Sequence, residues 1–526
     1  MRIFNTASLR PTDKLSANDA SWVYNGLDCC VTLEVRDKLL EHLALEPENV
    51  KQTYETAMSK MPVVNYMSLK GLKINESARQ YAIVQYSKDL DTLNSRFDAI
   101  MEATLGYTIN WRSPVQLKSL FYDTFRLKAV RKRDSKGNFS PTVNADALER
   151  FCQYLYPQVF ARYILAMREI AKKIQFLKTE IDPDGHMRTS MNIAGTDTGR
   201  FSSRLSTFGT GSNMQNIEDR LRAVFEPEPG KVFVNVDLEQ ADARNVGARI
   251  YSIFYESHGP EAAGKFLDAC ESGDLHTTVC RMVWPNLNWT GDLKRDKELA
   301  ETPFYRDHSY RDMAKKLGHG TNYFGTPPTM AMHSKVEVFI IERFQKAYFD
   351  AFPLIGNYAK DLNKEDWHGW VHRQLRDVGA ITNLFGRRRI FFDRANDLNT
   401  LRAAIAYDPQ SNTGEELDRG WLNLWANMPE ADLRMPVHDS ILFQLDYDKL
   451  DVLLPRVLEL LKVTIELPGG RKFSVPLDAA VGWNWAKAKF NKEKGLWENP
   501  NGLRKWTGKE ERVPPQTKRR LGSFLS

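Results

Sequence analysis

Two short β-rich runs, about 200 residues apart, each carry an aspartate to the end of a strand. In Lys231-Val-Phe-Val-Asn-Val-Asp237, Val232, Val234 and Val236 alternate with other residues, which predicts a strand that ends on Asp237. In Met435-Pro-Val-His-Asp-Ser-Ile-Leu-Phe-Gln-Leu445, two apolar runs meet at His438-Asp439, which predicts a tight hairpin with the aspartate at its tip. Much of the remainder reads as helix. Residues 49–177 are mostly helical in pattern, with a polar loop expected at 131–140, and residues 311–323 form a further helix between the two strand regions. Phe473-Ser-Val-Pro-Leu-Asp-Ala-Ala-Val-Gly-Trp-Asn-Trp485 predicts another strand, followed by a polar tail.

A chain of 526 residues exceeds one compact core, so two to four subdomains are expected. With 42% hydrophobic and 27% charged residues it has the balance of a folded soluble protein. No apolar run approaches the ~20 residues that span a bilayer, and the first residues lack the apolar core of a secretion signal. The five cysteines are odd in number and form no CxxC pair, which argues against structural zinc or a disulfide framework and fits a reducing cytoplasm. The net charge of +6 is uneven: from residue 491 onward nine Lys/Arg face four Asp/Glu. Such an arm suits a polyanion, since each neutralised phosphate releases counterions; it equally suits a solvated extension.

Nucleotidyl transfer needs a hydroxyl made nucleophilic and a triphosphate neutralised. Two divalent ions can do both, and they require at least two carboxylates at the ends of adjacent strands. Hard oxygen ligands suit Mg²⁺, which keeps waters and uses few protein groups. Asp237 and Asp439 can fill those positions; elsewhere, aspartates at strand ends are more often solvated caps. Arg311, Lys315, His319 and Tyr323 recur every four residues and so share one helical face. Two cations one turn apart can grip a triphosphate, with an aromatic beyond them to stack on base or sugar. Alone, such a stripe is more often an ordinary basic helix surface.

The order of motifs resembles the family A DNA polymerases. Asp237-Leu-Glu-Gln-Ala-Asp-Ala-Arg244 is similar to their motif A, Arg311 through Tyr323 to motif B on the fingers helix, and Val437-His438-Asp439 to motif C. Ser113-Pro-Val-Gln-Leu117, Thr198-Gly-Arg-Phe-Ser-Ser203, Asn213-Met-Gln-Asn-Ile217, Asp274-Leu-His276, Gly386-Arg-Arg-Arg389, the pair Arg402 and Gln410, and Val475-Pro-Leu477 with Gly482 and Trp485 fall in the family order around them. The resemblance implies an α+β, right-hand fold: an antiparallel palm sheet with helical fingers and thumb. It also implies a DNA-dependent DNA polymerase acting on primer–template DNA and dNTPs, with two Mg²⁺ ions held by Asp237, Asp439 and the backbone carbonyl of Leu238. Arg311, Lys315 and His276 would bind the triphosphate, Lys315 also serving as proton donor. Gln240, Asp242, His319 and Tyr323 would surround the nucleotide, and Arg200, Arg402, Gln410 and His438 would contact DNA.

This sequence departs from the family at several positions. Ser440 replaces the glutamate after motif C's aspartate, Asp242 replaces the sugar-gating glutamate, and His319 stands where an aromatic is usual. Gly318 and Gly320 flank His319, which suggests a pliable helix, or else close packing. Tyr24-Asn-Gly-Leu-Asp-Cys-Cys-Val-Thr32 resembles only the last motif of a 3′→5′ exonuclease, so no complete proofreading site is expected. The implied organisation is an exonuclease remnant at 1–48, thumb at 49–180, first palm part at 181–250, fingers at 251–380, second palm part at 381–490 and a basic tail at 491–526. A bacteriophage-type enzyme acting in the host bacterial cytoplasm, without a membrane, is the setting implied. A separately encoded exonuclease or processivity factor is the accessory partner. Rival readings are a single-subunit phage-type RNA polymerase, disfavoured by Asp242 and the DNA-polymerase-like motifs, and a catalytically dead DNA-binding module, disfavoured by retention of both aspartates.

Overall fold

A computed structural model describes residues 16–133, 137–305, 308–491 and 495–508. Its principal helices are α1 (Ala17–Leu45), α2 (Glu48–Lys70), α3 (Glu76–Leu105), α4 (Pro157–Leu177), α5 (Ala241–Glu271), α6 (Leu275–Val283), α7 (Tyr310–Asn322), α8 (Val338–Ala351), α9 (Trp367–Asp377), α10 (Leu398–Asn427) and α11 (Leu450–Leu461). The central strands are β1 (Lys231–Leu238), β2 (Asp432–Val437), β3 (Ser440–Asp446), β4 (Leu477–Gly482) and β5 (Arg504–Lys505). They form one antiparallel sheet in the order β2-β3-β1-β4-β5.

The sheet is covered on both faces, which is why its strands are apolar at nearly every position. Val232, Val234, Val236, Ile441, Phe443 and Val481 join one core with α5 and α10. Phe233, Leu442, Met435 and Val437 point the other way, into a core with Leu72, Tyr86, Met214, Phe225 and Trp485. A third core, around Phe97, Met101, Phe121, Phe151, Phe160 and Ile164, packs α3 against α4, within the span expected to be the thumb. α3 joins the two bodies: Tyr86 belongs to the palm-side core, Leu90 and Phe97 to the thumb. The fingers gather α6, α7 and α8 about Val279, Met313, Leu317, Phe344 and Tyr348. α5 is broken where Gly259 takes φ +77° before Pro260, a pair that cannot continue a helix.

Three expectations need correction. The polar loop at 131–140 contains paired strands, Arg131–Arg133 against Phe139–Pro141, because a hairpin with both faces in water needs no apolar alternation; residues 134–136 lie outside the described part. α2 packs on α10 and β2 rather than in the thumb core, with Val63, Val64 and Met67 buried against the palm. The tail is not merely a solvated extension. Lys489–Asn491 pairs with Leu496–Glu498, and β5 adds a fifth strand to the palm sheet, where Trp506 N–H donates to the Ala479 carbonyl at 2.8 Å. The basic stretch from 509 to 526 lies outside the described residues.

Candidate active site

β1 and β3 run side by side with Asp237 opposite Ser440, so the β2–β3 turn sets Asp439 next to the end of β1. His438 holds the turn in the left-handed region, at φ +54°. Leu238 N–H donates to the Asp439 carbonyl at 3.0 Å, tying the two acidic segments together through the backbone. Removal from water, reinforced by the charge of Asp439, pushes the Asp237 carboxyl up to about 6. Asp439 is raised as well, chiefly by burial and against the pull of Arg200. Two carboxylates in mutual repulsion at a sheet end suit a divalent cation. Among the described residues there is no group of three or more His, Cys, Asp or Glu that could hold a metal ion.

Above this pair lies a cleft of about 1000 Å³, lined from the palm by Asp237, Leu238, Gln240, Asp242 and Asp439. From the fingers come His276, Arg311, Lys315 and His319. The four-residue stride places Arg311, Lys315 and His319 along one face of α7, whose start is fixed by a capping box between Ser309 and Asp312. Tyr323 caps the far end, its ring 4.6 Å from that of His319, edge to face. Burial and then the charge of Asp242 push the Tyr323 hydroxyl well above its ordinary range, so it stays a phenol. Burial also lowers His319, and brings His276 down to about 4 with help from Arg311. His276 is therefore neutral near pH 7 and offers a hydrogen bond rather than a positive charge. Gln240 has φ +55° at the head of α5, and its side-chain oxygen is buried with no hydrogen-bond partner among the described residues.

A second cleft of about 550 Å³ adjoins the first and is lined by Arg200, Gln410 and His438. Arg200 stands between the two clefts, donating to Asp439 at 2.8 Å and to Asp242 at 3.3 Å. Arg402 lines neither cleft; it lies in the first turns of α10, where its charge acts on Lys360 and Asp397. The glycines of α7 differ from each other. A Cβ on Gly320 would come within 2.8 Å of Met330, whereas one on Gly318 would meet Tyr348 at an ordinary 3.6 Å. The near atom at Gly320 is the mobile end of a methionine side chain, so both readings of these glycines stand.

Asp274, which sequence pattern does not mark as a site residue, holds Arg311 in a two-pronged ion pair at 2.9 and 3.0 Å while accepting from Thr277. No periodicity connects residues 37 positions apart, so this link carries no sequence signal. Behind α7, buried His368 bonds through Nε2 to the Asn322 carbonyl at 2.8 Å, and burial lowers its ring to about 4. The folded pKa lies below the ordinary 6.5, so between those values the unfolded chain binds the extra proton. This contribution is complete above pH 6.5 and is lost as pH falls toward 4. The melting temperature of His368→Gln is therefore expected to drop less between pH 7 and pH 5 than that of the parent protein. Equal drops in a thermal melt would refute this.

Carboxylates at adjacent strand ends, a basic helix face across a cleft, and separate thumb and fingers cores define a right-hand polymerase fold. The polymerase domain of Pol1 from M. smegmatis, solved with DNA primer-template and dNTP, shares it: TM-score 0.68 at 20% identity, over 88% of this chain and 75% of that one. In sequence the chain resembles the family A DNA polymerases, and the model of that family, DNA polymerase family A, matches residues 80–250. DNA polymerase I of Caldicellulosiruptor bescii is 23% identical over 447 residues, 82% of this chain and 46% of the relative. The thermostable DNA polymerase I of Thermus aquaticus is 24% identical over 453 residues, 81% of this chain and 47% of the relative. The chain thus spans about half the length of these relatives.

Proposed function

We propose that this chain is a DNA-dependent DNA polymerase that extends a primer 3′-hydroxyl by two-metal nucleotidyl transfer. The observation that carries the reading is the convergence of Asp237 and Asp439 beneath the Arg311, Lys315 and His319 face of α7 in a single cleft. Asp237, Asp439 and the Leu238 carbonyl would hold two Mg²⁺ ions, which when bound activate the attacking hydroxyl and neutralise the triphosphate. Arg311, fixed by Asp274, and Lys315 offset charge on the departing pyrophosphate, and Lys315 can give it a proton. Neutral His276 adds a hydrogen bond. Arg200, Gln410 and His438, in the adjoining cleft, suit the primer terminus. Contacts there to purine N3 and pyrimidine O2 check pair shape without reading sequence.

A bacteriophage-type enzyme of the host cytoplasm is the finer form of this proposal. Among the described residues no helix is long and apolar enough to cross a membrane. Asp28 lies on α1, which buries none of its residues, and Thr32 bonds only to its own helix at the Asp28 carbonyl. This supports the reading that Asp28 by itself forms no exonuclease site within the described residues.

The test is primer extension by the purified chain, with dNTPs and rNTPs in separate reactions, each with Mg²⁺ and with chelator. Extension with dNTPs that chelator abolishes is the expected result. Preferential use of rNTPs would establish the RNA polymerase alternative, and DNA binding without extension the inactive one.

A further inference from the structure

Asp242 lies in the first turn of α5, within the cleft that the polymerase reading gives to the nucleotide. Its Oδ1 accepts from two donors, Arg200 at 3.3 Å and the Thr413 hydroxyl at 3.2 Å. The two contacts differ in kind. Arg200 shares the same terminal nitrogen with Asp439 at 2.8 Å, faces the primer-side cleft, and is committed elsewhere whenever it serves either. Thr413 is fully buried in the middle of α10 and cannot move away.

The Thr413 hydroxyl is itself oriented. Asn245, also fully buried and one turn beyond Asp242 on α5, donates through Nδ2 to Thr413 Oγ1 at 3.2 Å and to Glu416 at 3.1 Å. That donation occupies a lone pair of the threonine and leaves its proton to be shared between Asp242 and the Pro409 carbonyl at 2.9 Å. Both acceptors lie within reach of that one proton, the Asp242 carboxyl at 3.2 Å and the Pro409 carbonyl at 2.9 Å.

We infer that Thr413 is a positioning residue for sugar selection: held by Asn245, it fixes the short Asp242 side chain where a ribose 2′-hydroxyl would have to fit. The inference rests on the polymerase reading. An aspartate reaches one methylene less far than a glutamate, so its discrimination depends on being held still rather than on bulk.

Single-nucleotide incorporation kinetics with matched dNTP and rNTP provide the test. Thr413→Val keeps the shape and removes the hydroxyl. It is expected to lower the dNTP-over-rNTP ratio of kcat/KM about tenfold, chiefly through a lower rNTP KM. The dNTP kcat should stay within about twofold, and Thr413→Ser should restore the ratio to within about twofold. In an Asp242→Ala background, Thr413→Val should change nothing further, a result that a purely structural role would not give. An unchanged ratio in Thr413→Val, or an equal loss in the Asp242→Ala background, overturns the inference. Should the valine variant fail to fold, Thr413→Ala replaces it with the same expected ratio. If the parent protein extends no primer with either nucleotide, the polymerase reading fails and this inference with it; extension with an unchanged ratio sinks only the inference.

Discussion

Asp237→Ala and Asp439→Ala are each expected to reduce nucleotide incorporation by at least about a thousandfold, while affinity for primer–template DNA changes little. On the polymerase reading the two effects separate because different groups would carry them: the carboxylates would serve the metal ions, whereas DNA affinity would come mainly from phosphate contacts. The variants should also fold as well as the parent. Asp237 is exposed at its strand end and Asp439 is only part-buried, so neither side chain is needed for core packing. Single-turnover rates, fluorescence anisotropy on a labelled duplex and thermal melts are the three measurements needed. Even one-tenth of the parent rate in either variant would remove that aspartate from the metal site.

The second large effect is on stability. Lys60 of α2 is wholly buried and paired with Asp418 of α10, itself 3% exposed and bonded to Trp421 at 3.1 Å. Lys60 also lies 5.6 Å from the centre of the Phe201 ring, beside Arg200. Lys60→Met leaves Asp418 in the core without a counter-charge and should cost about 3–5 kcal/mol. Asp418→Asn added to Lys60→Met should recover a large part of the loss, because an apolar or neutral replacement of both partners avoids the stranded charge. Denaturant unfolding of both variants measures this. A loss below about 1 kcal/mol for Lys60→Met would mean that water reaches the pair.

The cleft and the strand ends beneath it were legible in the sequence because their signals are local. Alternating valines predicted the strand that ends on Asp237, two apolar runs marked the turn at Asp439, and a stride of four gathered Arg311, Lys315 and His319. What escaped is what local pattern does not encode. The apolar spacing of α2 is the same whether it packs on palm or thumb; only its partners Asp418 and Asp432, more than 350 residues away, decide. β5 has two residues, too few for any periodicity. Asp274 beside Arg311 and Thr413 beside Asp242 likewise meet only in the folded chain.

The make-up of the central sheet has a consequence for synthesis on the ribosome. The thumb core draws on residues 90–167, a continuous stretch that can pack soon after it emerges. The palm sheet draws β1 from residue 231 onward and its last strand from residues 504–505. The α3–α4 core can therefore take shape early, ahead of the later strands of the platform. The two aspartates do not meet until the turn at residue 439 has been made, and the sheet edge beyond them stays open until nearly seventy further residues have followed. A nascent chain stalled before that point would present a bare sheet edge to its neighbours.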